Sequence, residues 1–261
     1  DPARRIVCAT VSGRSGALLR AQSFDAVVVD EAAQCMEAWA WTLLRPEVAF
    51  LALAGDVHQL TAVVSESGRA LAHDRSLMTR LVVDLAYDNV STLRVQNRMA
   101  PELLHFPNTA FYDGALSSGP HAPRSGTVEI VPVLDGTETA EATSYSNAGE
   151  VAALAALRPS LPDGTVVLCP YTTQCRRVLA RGLGLEVHTV DSFQGREADT
   201  VVVSLVRDGS TGTVGFWGDY RRSVVAFTRA RTRLVVLVSH PERWATTPLA
   251  PLFTTRNGVG D

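Results

Sequence analysis

Lysine is absent: all 24 basic residues of this 261-residue chain are arginine. Lysine is ordinarily among the commonest residues. Arginine codons are GC-rich and lysine codons AT-rich, so the bias points to a GC-rich genome. It excludes one chemical device from these residues, a glycine-rich phosphate loop ending in Lys-Ser or Lys-Thr. Cysteine is scarce. Cys8, Cys35, Cys169 and Cys175 show no C-x-x-C spacing and no paired histidines at zinc spacing. A disulfide framework or zinc ribbon is thereby excluded, and buried thiols in a reducing compartment are expected. No apolar run is long enough to span a bilayer, and no charged-then-apolar leader is visible. A soluble intracellular protein, cytoplasmic or nuclear and without membrane partners, is the expectation. Residue 1 is Asp, which fits a piece of a longer or processed chain. The net charge is only −3, so any nucleic-acid contact has to come from a local groove and not from a bulk field.

What is present is a core: 46% of residues are hydrophobic. Short β-rich runs alternate with amphipathic segments of helix length. Strands are expected at 6–11, 26–30, 50–55, 91–96, 127–133, 165–170, 186–190, 200–206 and 234–239. Helices are expected near 35–44, 75–86, 101–111, 147–157, 173–182 and 221–230. The strands read as continuous apolar runs, which implies burial on both faces and a parallel α/β sheet. Stretches 116–126 and 135–147 are rich in Gly, Pro, Ser and Thr and read as loops. A seam is expected near Thr92 to Val95, and the tail after Trp244 is expected to fray. No repeat of solenoid period is visible.

Polar clusters follow several of the strands. VVVDEAAQ (27–34) brings Asp30 to a strand end, where a carboxylate can hold Mg²⁺ through water and the next, Glu31, can deprotonate an attacking water. An acidic helix start would look the same, but Ala32 and Ala33 allow close packing and Gln34 can reach a phosphate. LALAGDVHQL (51–60) ends a second strand in Gly55, Asp56, His58 and Gln59. One strand–helix–strand unit separates the two clusters, so both should line one edge of one sheet. In VQNRMAPELLHFPNTAFYDGAL (95–116), Arg98 precedes a helix begun by Pro101, and Phe106, Phe111 and Tyr112 read as core. EVHTVDSFQGREADTVVVSLVRD (186–208) is the most specific stretch. Gly195 permits close backbone approach, Thr189 and Ser192 suit a phosphodiester, and Glu197 suits a ribose or an arginine. In GFWGDYRRSVVAFTRARTR (215–233), Arg222 and Arg229 lie seven residues apart and are expected on one helix face. There an anion would offset the cost of placing arginine among apolar residues.

In this order the stretches resemble the motifs of superfamily 1 helicases, in the 5′-to-3′ branch that contains the RNA helicase of nonsense-mediated decay and related DNA replication helicases. VVVDEAAQ is similar to motif II, AGDVHQL to motif III, VVLCPYTTQ to motif IV, TVDSFQGREADTVVVSLVR to motif V and DYRRSVVAFTRAR to motif VI; CATVSG is similar to motif Ic. The resemblance covers residues 5 to 240. It implies two RecA-like P-loop NTPase domains of α/β class with parallel sheets, the first incomplete: residues 1–93, then 94–245, with 246–261 as tail. It implies ATP and Mg²⁺ as cofactors and single-stranded DNA or RNA as partner. By the same resemblance Asp30 coordinates Mg²⁺, Glu31 is the catalytic base and Gln59 contacts the γ-phosphate. Arg98 and Arg229 are arginine fingers, and Glu197 and Gly195 lie at the nucleotide. Thr10, Tyr171, Thr189 and Ser192 face nucleic acid. Two positions depart from the family pattern. Asn97 stands where an aromatic residue stacks on adenine, and Ala100 stands in place of histidine. The phosphate-loop lysine is expected upstream of Asp1, in which case this chain hydrolyses ATP poorly by itself. A non-catalytic nucleic-acid-binding or regulatory protein on the same scaffold is the alternative.

Overall fold

The structure, a computed structural model, describes residues 6–210 and 213–254. It divides between Ser91 and Thr92 into two compact units.

In the first unit, β1 (Ala26–Val29) and β2 (Phe50–Leu53) pair in parallel, with Val29 opposite Leu53. Around them lie short helices: α1 (Ala17–Arg20), α2 (Glu37–Trp41), α3 (Glu66–Ala70) and α4 (Leu77–Thr79), the last continuing as a π-helical turn over Arg80–Asp84. Its core is small, built on Val29, Ala32, Cys35, Ala40 and Leu77. Burial on both strand faces, expected from the apolar runs, is not found within this unit. Val28 is 68% and Phe50 60% exposed, because two strands and helices of about one turn cannot cover both faces. The strand expected over 6–11 also does not form. Residues 6–10 are irregular and Val11–Ser15 is a 3₁₀ turn. The Thr10 hydroxyl accepts from the Gly13 amide at 3.1 Å, a local cap that competes with ladder formation.

The second unit holds a five-stranded parallel sheet whose strands lie in the order β5 (Thr127–Pro132), β11 (Ala230–Val238), β10 (Ala198–Ser204), β8 (Val166–Cys169), β9 (Glu186–Thr189). A short pair, β3 (Val95–Gln96) with β4 (Ser117–Ser118), flanks α5 (Pro101–Phe111). Then follow β5 (Thr127–Pro132), β6 (Glu138–Glu141), β7 (Ser144–Asn147), α6 (Ala148–Leu157), β8 (Val166–Cys169), α7 (Thr172–Ala180), β9 (Glu186–Thr189), β10 (Ala198–Ser204), α8 (Tyr220–Phe227), β11 (Ala230–Val238) and α9 (Ala250–Thr254). Here the apolar runs are buried on both faces. Val167, Val202, Val235 and Leu237 pack with Val151 and Leu154 of α6 and Val178 of α7. The alternate residues Leu168, Val201, Val203 and Val236 are fully buried as well, as the two-residue period of a strand requires. Helix α5 packs on β5, β11 and α8, with Phe106 edge-on to Phe227 at 5.4 Å. Phe106 and Phe111 are buried, as core residues should be.

Three expectations for this unit need correction. Stretch 135–147 is not a loop: β6 and β7 form an antiparallel hairpin. Helix α8 ends at Phe227, short of 230, because Thr228 caps it and β11 begins at Ala230. Arg229 therefore lies in a turn and shares no helix face with Arg222. The described part of the tail is packed, not frayed: Leu249 and Leu252 are buried and α9 lies against α5; residues 255–261 lie outside the described residues. Of the four free thiols, Cys35, Cys169 and Cys175 are buried as expected, but Cys8 is exposed. No helix among the described residues is long and apolar enough to cross a membrane.

Candidate functional site

In the first unit the parallel register brings the two polar clusters to one edge. Asp30 follows β1 directly, and Gly55 and Asp56 follow β2 just past Ala54, whose carbonyl accepts from the Ala32 amide at 2.8 Å. A side chain at position 55 would meet the Ala32 and Ala33 amides at 3.0 and 3.1 Å, so glycine and the small alanines admit the close approach. Glu31 adopts the left-handed region at φ 50°, uncommon for a residue with a side chain. Its carboxylate accepts from Gln34 Nε2 at 3.1 Å, while Asp30 Oδ1 accepts from the Glu31 amide at 3.0 Å. Asp56 orders the second cluster, accepting from the His58 amide at 2.9 Å and from Gln59 Nε2 at 3.0 Å. Among the described residues no three His, Cys, Asp or Glu side chains converge as a metal site. Exposed Asp30 therefore belongs to no closed cage of protein ligands, which suits a largely hydrated Mg²⁺. With no lysine in the sequence, the fit to a metal–nucleotide complex is to its metal and water side only.

In the second unit the candidate residues separate onto opposite edges of the sheet. At the amino ends of β10 and β11, Glu197 holds two arginines: Arg98 Nε donates to Oε2 at 2.6 Å and Arg231 Nη1 to Oε1 at 2.8 Å. Burial pushes the Glu197 carboxyl up, but the hydrogen bonds and charges of Arg98 and Arg231 outweigh it and hold it below the usual range. Arg98 also donates to the Thr228 carbonyl at 3.2 Å. Arg229 is 1% exposed and donates to the Val225 and Arg196 carbonyls and to Thr228 Oγ1 at 2.9, 3.3 and 2.8 Å. Backbone carbonyls and the Thr228 hydroxyl are thus among the groups that answer its charge. Gly195, at φ 79°, makes the turn that delivers Glu197. Asn97 is exposed, its side-chain oxygen accepting from the His121 amide at 3.1 Å. A cavity of about 510 Å³ opens at this edge beside Glu186, Arg196, Glu197 and Thr232.

At the opposite, carboxyl edge, Thr189 ends β9 opposite Cys169 of β8. Its hydroxyl donates to Ser192 Oγ at 2.9 Å. Tyr171 lies just past β8, its hydroxyl accepting from the Phe216 amide at 3.2 Å. Thr10 belongs to the first unit and is exposed. The structure therefore groups Asp30, Glu31 and Gln59 on one edge, Arg98, Glu197, Gly195 and Arg229 on a second, and Tyr171, Thr189 and Ser192 on a third.

The motifs gave no notice of a buried polar network at this carboxyl edge. Glu150 Oε2 accepts from Ser204 Oγ at 2.5 Å and the Val206 amide at 2.9 Å, and Oε1 from Ser239 Oγ at 3.3 Å. Gln174 and Asn147 complete it. The signal was the spacing Asn147-x-x-Glu150, a capping-box pattern at the start of α6.

Models described as AAA domain match residues 3–67 and 73–241. The chain is 32% identical to helicase sen1 of Schizosaccharomyces pombe over 89% of its length and 16% of that protein. It is 34% identical to DNA-binding protein SMUBP-2 of Mesocricetus auratus, over 89% of this chain and 27% of that one. It is 32% identical to the DNA polymerase alpha-associated DNA helicase A of Saccharomyces cerevisiae, over 89% and 42%. The chain thus spans less than half the length of each of these relatives. With most of its length matched and its motifs in order, the chain belongs to the AAA-domain family of superfamily 1 helicases.

Proposed function

We propose that this chain is part of an ATP-dependent helicase or translocase that moves on single-stranded DNA or RNA inside the cell, in the cytoplasm or nucleus. The observation that carries this reading is the convergence of Asp30–Glu31 and Asp56–Gln59 at the ends of two paired parallel strands. Bound Mg²⁺ would neutralise phosphate charge beside Asp30. Glu31, steadied by Gln34, would orient and deprotonate the attacking water, and Gln59, held by Asp56, would report the terminal phosphate. Arg98, half buried at the amino edge of the second sheet, is more open to a phosphate than the buried Arg229, which shares Thr228 as a partner with it. Glu197 would hold the Arg98 guanidinium in place, and Gly195 shapes the turn that carries Glu197. The phosphate-gripping lysine would come from outside these residues, so hydrolysis by this chain alone should be feeble. Thr10, Tyr171, Thr189 and Ser192 would meet the strand.

The test is ATP hydrolysis, with and without single strands, by this chain and by one extended upstream along its coding sequence. Strand-stimulated hydrolysis by the longer protein, lost by at least about a hundredfold on Glu31→Gln, is expected. A longer protein that binds strands yet hydrolyses nothing would replace this reading with a non-catalytic, regulatory one.

A further inference from the structure

Tyr145 lies in none of the motif stretches, yet at the carboxyl edge Arg207 and Tyr171 both pack against its ring. The hairpin that carries it is locked to the end of β10. Glu138 accepts from Arg207 Nε at 2.7 Å and from the Asp208 amide at 3.0 Å, and the Glu138 amide donates back to Asp208 at 3.1 Å. The Arg207 and Glu138 side chains are only 4% and 7% exposed. Between them and β10 the chain makes a rare turn. Val206 stands at φ 67°, and the Arg207 amide donates to the Leu205 carbonyl at 2.7 Å, closing a γ-turn of the strained hand. A β-branched residue in this region is an outlier that persists only where its surroundings over-determine it. Here Asn147 Nδ2 holds the Val206 carbonyl at 3.1 Å and Glu150 the Val206 amide at 2.9 Å.

The turn directs Arg207 against the Tyr145 ring, 4.3 Å from its centre. Tyr145 also lies 5.2 Å from Tyr171, and Tyr171 lies 5.9 Å from Phe216. Tyr145 is partly exposed. The two tyrosines stand at the end of β8, whose last residue Cys169 is in register with Thr189. An aromatic ring fixed in advance loses little entropy when a base settles on it, and every base has a π-face to offer.

We propose that Tyr145 is a base-stacking contact for single-stranded nucleic acid, extending the Tyr171–Thr189–Ser192 edge onto the hairpin; the proposal rests on the nucleic-acid reading of that edge. The test is fluorescence anisotropy of the chain with oligo-dT, oligo-U and an abasic strand of equal length. Tyr145→Ala should weaken binding of dT, U or both by about five- to a hundredfold and leave the abasic strand within about twofold. Tyr145→Phe should bind as wild type does. Tyr145→Leu, which keeps apolar packing and is checked by thermal melting, should behave as Tyr145→Ala does. Unchanged dT and U binding in the Ala and Leu variants would overturn the proposal. So would an equal loss on the abasic strand, since Tyr145 would then act through the fold. If wild type binds none of the strands, the nucleic-acid reading of the edge itself fails, and this proposal with it.

Discussion

Glu150 is a carboxyl group taken wholly out of water with no ion pair among the described residues. Burial pushes its pKa from 4.5 up to about 7, against hydrogen bonds from Ser204, the Val206 amide and Ser239. The neighbouring Cys169 thiol, pushed up by its hydrogen bond with Cys175 and by burial, stays protonated at these pH values. Between pH 4.5 and 7 the folded state therefore keeps a proton that the unfolded chain has released. Stability must fall as pH rises through that window, by on the order of 3 kcal/mol in total, and then level off. Urea midpoints of the second unit measured from pH 4.5 to 8 should show this decline, and Glu150→Gln should flatten it. A variant that kept the slope would place the titration elsewhere. At this scale the sequence was informative where chemistry repeats in a short motif: Asp30–Glu31, Gly195 and Glu197 could each be named from neighbours along the chain. Glu150 could be recognised only as a cap, because its partners Ser204, at the end of β10, and Ser239, just past β11, are 54 and 89 residues away.

The hairpin β6–β7 was the element least legible beforehand, for a physical reason. Most of β6 is exposed and the buried end of β7 is polar, Ser146 and Asn147, so the stretch stays Ser-, Thr- and Glu-rich and carries no apolar alternation. What ties it to the sheet is polar: the buried Arg207–Glu138 pair, the bonds between Glu138 and Asp208, and those of Asn147 to Val206 and Ser239. By contrast β8, β10 and β11 declared themselves as apolar runs because helices cover both their faces. The end of α8 was misjudged because an apolar helix followed at once by an apolar strand offers no change of composition at the boundary. The Arg207–Glu138 pair makes a prediction at this scale. Removing one partner leaves the other charged and buried, at a cost of roughly 3–5 kcal/mol, whereas replacing both with apolar residues of similar size should cost much less. Arg207→Ala and Glu138→Ala should each lower the urea midpoint of the second unit sharply. The double variant Glu138→Leu/Arg207→Met should recover most of the loss. If each single change costs under about 1 kcal/mol, as exposed pairs do, the hairpin is held by something else.

For the molecule as a whole, the two units differ in how much core each has within itself. The first rests on a handful of buried side chains and leaves Val28 and Phe50 open; the second buries both faces of a five-stranded sheet. Buried apolar area is what offsets chain entropy, so the units should not share one stability. The tryptophans can separate them. Trp217 and Trp244 are fully buried in the second unit, while Trp39 and Trp41, in the first, are 37% and 52% exposed. A shift of tryptophan emission on unfolding therefore reports mainly the second unit, whereas far-ultraviolet circular dichroism senses both. In a urea titration the dichroism should begin to fall at lower denaturant than the emission shift, and the amides of β1 and β2 should exchange well before those of β8, β10 and β11. Residues 92–261 expressed alone should fold with the emission midpoint of the intact chain, and residues 1–91 alone should not give a cooperative transition. Coincident transitions by both probes would mean that the first unit draws its stability from the second, and a second unit weakened by excision would mean that the dependence runs both ways.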